Sequence, residues 1–153
     1  MKSYLSIIGA LFLVTGFVIA YFIGDNPFQS QDLQASSKAY VEANVPVILS
    51  TESKDELLKR SSPQLLNSAD ENPNQLDQQF QNLAKLGAMQ KFGDVEGYAT
   101  NFTTNQDRIV ITASYVATAK FENGEGHISV RLIQSHGQWQ FLLFHVESAP
   151  LLK

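Results

Sequence analysis

The stretch RIVITASYVATAKF (Arg108–Phe121), continuing through ENGEG (122–126) into HISVRLIQ (127–134), SHG (135–137) and QWQFLLFHV (138–146), decides the fold. Its apolar residues recur every second position, the period of a half-buried strand. Ile109, Ile111, Ala113, Tyr115, Ala117, Ala119 and Phe121 face one way; Val110, Thr112, Ser114, Val116, Thr118 and Lys120 face the other. Ile128, Val130 and Leu132 share a face of the next strand. Strict alternation predicts that Trp139, Phe141, Leu143 and His145 share a face of the last one. Asn123-Gly124 is a strong hairpin signal, and Ser135-His136-Gly137 turns the chain again. Together with a strand over Val95–Phe102, bulged at Gly97, this predicts a meander of four antiparallel strands.

Upstream the period changes to that of helices. Tyr40, Val41, Asn44, Val45, Ile48 and Leu49 line one face of a helix over Asp32–Ser50, which Pro46 should kink or divide. Ser53 and Glu56 have capping-box spacing. Ser62-Pro63 ends or restarts that turn, and Gln64–Asn67 suggests one more helical turn. Ser68–Asn74 reads as a loop. Leu76, Phe80, Leu83 and Leu86 then mark an amphipathic helix stopped by Gly87. The fold class is therefore α+β: helices packed on a curved four-stranded antiparallel sheet.

At the start of the chain, Tyr4–Ile23 is an uncharged apolar run preceded by Lys2 and followed by Asp25. About 20 such residues span the hydrocarbon of a bilayer as a helix. Val18-Ile19-Ala20 also fits a cleavage site, with Ala20 as the last residue removed, but Tyr21-Phe22-Ile23 carries the run past it. An uncleaved signal anchor is the favoured expectation, with the N-terminus cytoplasmic by the positive-inside tendency. The expected organisation is an N-terminal transmembrane helix over 1–24, a linker over 25–31 and a domain over 32–150. The domain would then lie on the periplasmic or extracytoplasmic side of the inner (cytoplasmic) membrane. Gly16, Ala20 and Gly24 repeat at a spacing that puts small residues on one helix face, where another membrane helix can approach.

Composition excludes several functions. The chain has no cysteine, so disulfides, thiolate metal sites and cysteine nucleophiles are out. Its net charge of −4 opposes a general electrostatic attraction to nucleic acid. No Gly-rich phosphate loop follows a strand, and no Gly-x-Ser-x-Gly elbow occurs. No cofactor is implied; a zinc site needs three or four converging ligands, and although adjacent strands can bring His127 and His145 together, His136 belongs to a turn, so no metal site is expected. The paired acids sit in caps and loops, where solvated carboxylates belong.

Helices followed by a meander that closes on Gly137-Gln138-Trp139-Gln140-Phe141 resemble the NTF2-like and cystatin-like α+β superfamily, in which a bent sheet wraps around a long helix. The resemblance covers about Gln31–Ser148. In layout only, a membrane helix before such a domain is similar to the VirB8-like scaffold proteins of type IV secretion. The superfold hosts enzymes, carriers and assembly modules, so it implies no single activity. Two expectations follow. In one, the domain is non-catalytic and mediates protein–protein contact, as a homodimer or with an envelope partner, through an outer sheet face bearing Val110, Val116, Leu142, Phe144 and Val146. In the other, the concave cavity binds a small apolar ligand among His145, Trp139, Phe141, Tyr115 and Tyr98, making a tethered carrier or sensor. A general base at His145 is the remaining, enzymatic option.

Overall fold

A computed structural model describes residues 27–148. Helix α1 (Pro27–Thr51) carries the first long apolar face. Three shorter helices follow: α2 (Lys54–Leu58), α3 (Pro63–Glu71) and α4 (Pro73–Lys85). The strands β1 (Met89–Thr103), β2 (Ile109–Phe121), β3 (Gly124–Ser135) and β4 (Gln138–Ser148) then form one antiparallel sheet in the order β1-β2-β3-β4. The architecture is the expected α+β meander. The apolar run 4–23 and the series Gly16, Ala20, Gly24 lie outside the described residues. Among those described, no helix is long and apolar enough to cross a membrane.

The helices differ from the sequence reading in instructive ways. α1 spans Pro27–Thr51, so residues 27–31 of the expected 25–31 linker are helical. Pro46 sits inside α1 without dividing it. Val45, Ile48 and Leu49, all fully buried around it, hold both halves against the same core. Ser53 caps α2 by accepting from the Glu56 amide at 3.3 Å. The Glu56 carboxylate does not complete the box; it turns to Arg60 at 2.6 Å and Lys59 at 3.0 Å. Ser62 caps α3 in the same manner, accepting from the Leu65 amide at 3.3 Å, with Pro63 at the first helical position. The supposed loop over Ser68–Asn74 is helix on both sides of Asn72, since two N-terminal prolines start two successive helices.

Tertiary contacts also set the strands and turns. β1 starts at Met89, earlier than alternation suggested, with register shifts between Met89 and Lys91 and between Phe92 and Val95. Gly97 is not a bulge; it pairs in register with Tyr115. A Cβ there would stand 2.0 Å from the Ser114 carbonyl oxygen, so glycine is required by close backbone approach. The β2–β3 turn is centred on Glu122-Asn123, between the partners Phe121 and Gly124. Its amides donate to the Ala88 and Leu86 carbonyls at 3.1 and 2.8 Å, so the end of α4 shapes this turn. The β3–β4 turn has positive φ at both His136 and Gly137 (52° and 77°), the type I′ hairpin geometry.

The decisive departure is in β4. Arg131 pairs with Leu143 and Leu132 with Phe141, leaving Leu142 as an extra residue. This β-bulge reverses the alternation. Trp139 and Phe141 point inward before it; Phe144 and Val146 point inward after it. The outward face expected for Phe144 and Val146 is therefore corrected: both belong to the core. Leu143 and His145 take the outward positions instead.

α1 lies in the hollow of the sheet, and its polar side chains touch three strands. Gln34 Nε2 donates to the Gly97 carbonyl of β1 at 3.4 Å. Tyr115 of β2 and Trp139 of β4 reach back to α1 through hydrogen bonds. Between them Val41, Val45, Ile48 and Leu49 meet Ala113, Ala117, Leu132 and Phe141 in one continuous core. The small alanines of β2 leave room for the helix, so it settles close to the sheet. α1 runs in the direction of β4 and opposite to β1, because Ser36 meets Trp139 and Tyr40 meets Phe141 in succession.

Candidate functional site

The five residues expected around a cavity are split between two sides of the sheet. Tyr115 is buried, and its hydroxyl donates to the Gln34 carbonyl at 2.9 Å and lies 2.8 Å from Ser37 Oγ. Burial pushes its phenol above the ordinary value, with the Ser37 hydrogen bond pulling it partly back. Trp139 Nε1 donates to Ser36 Oγ at 3.1 Å. Phe141 is fully enclosed, tilted against Tyr40 at 5.5 Å and edge-on to Phe144 at 5.9 Å. These three residues fasten helix to sheet with their polar ends already satisfied.

Tyr98 and His145 stand on the outer side. Tyr98 is opposite Ser114 on the face away from α1. His145 is exposed and paired across from Ser129. Its Nδ1 is 3.2 Å from Gln79 Oε1 and its Nε2 is 3.1 Å from Glu147 Oε1. His127 lies across from Glu147 on the neighbouring strand. Among the described residues, no group of three or more His, Asp or Glu side chains converges to hold a metal ion. The shared face of Trp139, Phe141 and His145 does not exist, because the bulge at Leu142 intervenes.

Gln79 was not foreseen. It projects from α4 and uses both ends of its amide on β4: Nε2 donates to the Phe144 carbonyl at 3.1 Å while Oε1 meets His145. Further along the same rim, the Phe141 amide donates to the Arg60 carbonyl, and its carbonyl accepts from Ser62, both at 2.8 Å. Arg60 is itself held by Asn44 Oδ1 at 2.8 Å and by Glu56. Glu56 and Arg60 are four residues apart, a spacing that does announce an intrahelical pair. Nothing in the sequence around Gln79 marks it, since its partner is a backbone carbonyl far along the chain.

The bulge and the neighbouring helices leave a shallow groove of about 230 Å³ between α3, α4 and β4. Leu65, Ala69, Leu76, Leu142, Leu143 and His145 line it. On the outer sheet face, Val116 is 45% exposed and Leu143 43%. They sit on adjacent cross-strand rows, Glu96–Val116–Ser129–His145 and Tyr98–Ser114–Arg131–Leu143. These two rows set apolar groups among hydroxyls, one carboxylate, one arginine and one histidine.

Compared with known proteins, the chain matches no family model, no curated protein and no solved structure.

Proposed function

We propose that this chain is a single-pass membrane protein of the inner (cytoplasmic) membrane. Its exported NTF2-like/cystatin-like domain mediates protein–protein contact in the cell envelope without catalysis. The observation that carries this reading is the division of the sheet into two unlike sides. The hollow side is filled by α1, and the polar ends of Tyr115 and Trp139 there are taken up by Gln34 and Ser36. The outer side keeps Val116 and Leu143 exposed near Tyr98 and Arg131. Aromatic, apolar and arginine groups together are the composition of contact surfaces.

The carrier reading loses ground on the same observation, because the hollow in which an apolar ligand would sit holds Val41, Val45, Ile48 and Leu49. The groove beside β4, at about 230 Å³, is smaller than typical ligand sites of roughly 300 Å³ and above. The anchor half of the proposal rests on the uncharged run 4–23.

The test is photocrosslinking in cells, with benzoylphenylalanine placed at Val116, at Leu143 or, as a control, at the exposed Gln64 of α3 in the full chain. Adducts of discrete mass from 116 and 143, absent from 64, are expected. Absence of adducts at both outer-face positions would sink the contact reading.

A further inference from the structure

We propose that the tip of the β1–β2 hairpin, carrying Phe102 and Ile109, is a second membrane contact that rests in the headgroup layer of the bilayer. The inference depends on the anchor reading above and adds where the domain meets the lipid.

Three observations converge. First, the hairpin tip exposes large apolar side chains: Ile109 is 70% exposed and Phe102 51%. They belong to opposite sides of the sheet. Phe102 pairs with Val110 in the outward row, and Thr103 with Ile109 in the inward one. A flat protein partner covers one side of a hairpin; a lipid layer surrounds both. Second, the residues between them, Thr103-Thr104-Asn105-Gln106-Asp107-Arg108, carry one negative and one positive charge. This neutral polar segment escapes the repulsion that the acidic chain as a whole has for anionic lipid.

Third, the tip and the start of α1 lie toward the same end of the domain. α1 runs opposite to β1, and the Gln34–Gly97 hydrogen bond fixes their relative height. From Gly97 to Thr103 a strand rises roughly 20 Å. From Gln34 back to Pro27 the helix rises about 10 Å. The residues from Pro27 back to Ile23 add up to about 14 Å when extended. The hairpin tip therefore stands roughly 10 Å beyond Pro27, within the reach of a four-residue connection to Ile23. Apolar groups flanked by neutral polar residues suit the boundary between headgroups and acyl chains.

The absence of cysteine allows single probes. Full-length Phe102→Cys, Ile109→Cys, Ala20→Cys and Glu125→Cys variants would each carry one environment-sensitive fluorophore. They would be reconstituted in phosphatidylcholine vesicles with a minor share of phosphatidylglycerol. Lipids spin-labelled near the headgroup or at mid-chain act as quenchers. Headgroup-level lipids are expected to quench the probes at 102 and 109. Mid-chain lipids should quench the probe at 20, and neither should quench the probe at 125, in the strand that opens at the far turn. Quenching at 20 with none at 102 and 109 overturns the hairpin contact and leaves the anchor standing. No quenching at 20 overturns the anchor and this inference with it. A blue shift at 102 or 109 without lipid quenching assigns the tip to a protein contact, which also overturns it.

Discussion

Tyr115 shows how one side chain can join two elements. Its ring fills the space beside the β2 alanines, and its hydroxyl meets Gln34 and Ser37 on α1. Replacing it with Phe keeps the ring and removes both of its hydrogen bonds, while Ser37 Oγ still donates to the Gln34 carbonyl at 3.1 Å, so Tyr115→Phe should cost about 0.5–1.5 kcal/mol in urea unfolding at neutral pH. The same residue has a signature in alkali. Burial raises its folded value above the ordinary 10.0, so the folded state holds the proton more tightly than the unfolded chain. That stabilisation is fully present below pH 10 and is lost as pH rises through the folded value. Tyr40 is raised for the same reason, with Arg60 opposing. Unfolding curves taken above pH 10 should therefore fall less steeply with pH in Tyr115→Phe than in the parent chain. An unchanged alkaline slope would mean that the phenol is not the group responsible.

At the scale of elements, alternation read from the sequence identifies four strands, the inward faces of β2 and β3, and the stop at Gly87, whose φ of 80° needs glycine. It fails at β4 for a definite reason. The run Phe141-Leu142-Leu143-Phe144 is apolar throughout, so period two has no phase there and an extra residue leaves no trace. Four consecutive apolar residues in a strand otherwise alternating are the signal that could have raised a bulge. The candidate cavity was illegible as a consequence: His145 was assigned to the wrong side by one residue. The successive helices α3 and α4 are hidden differently, because Asn and Pro initiate helices as readily as they form loops. The bulge makes a sharp prediction. Deleting Leu142 joins the pairs Leu132–Phe141 and Arg131–Leu143 into an unbroken register and keeps Phe144 and Val146 inward. That deletion should give a folded protein with cooperative thermal unfolding by circular dichroism. Deleting Ser129 from β3 should abolish cooperative unfolding, because it moves one side of that strand's apolar set to the wrong face. Equal behaviour of the two deletions would contradict the register described above.

For the whole molecule, the apolar side chains packed into the core among the described residues run from Leu33 to Val146. Residues 27–148 alone should therefore unfold in one cooperative step, at a midpoint within a few degrees of that of the full chain in detergent, about the effect of 1 kcal/mol or less. A large drop, read by differential scanning calorimetry, would show that the residues before Pro27 carry part of the stability. A further consequence follows from the way Arg60, Ser62 and Gln79 occupy the free rim of β4. An uncovered rim invites neighbouring chains to add strands and grow into fibrils. With that rim obstructed, neighbouring molecules are denied the simplest route to stacking through this border.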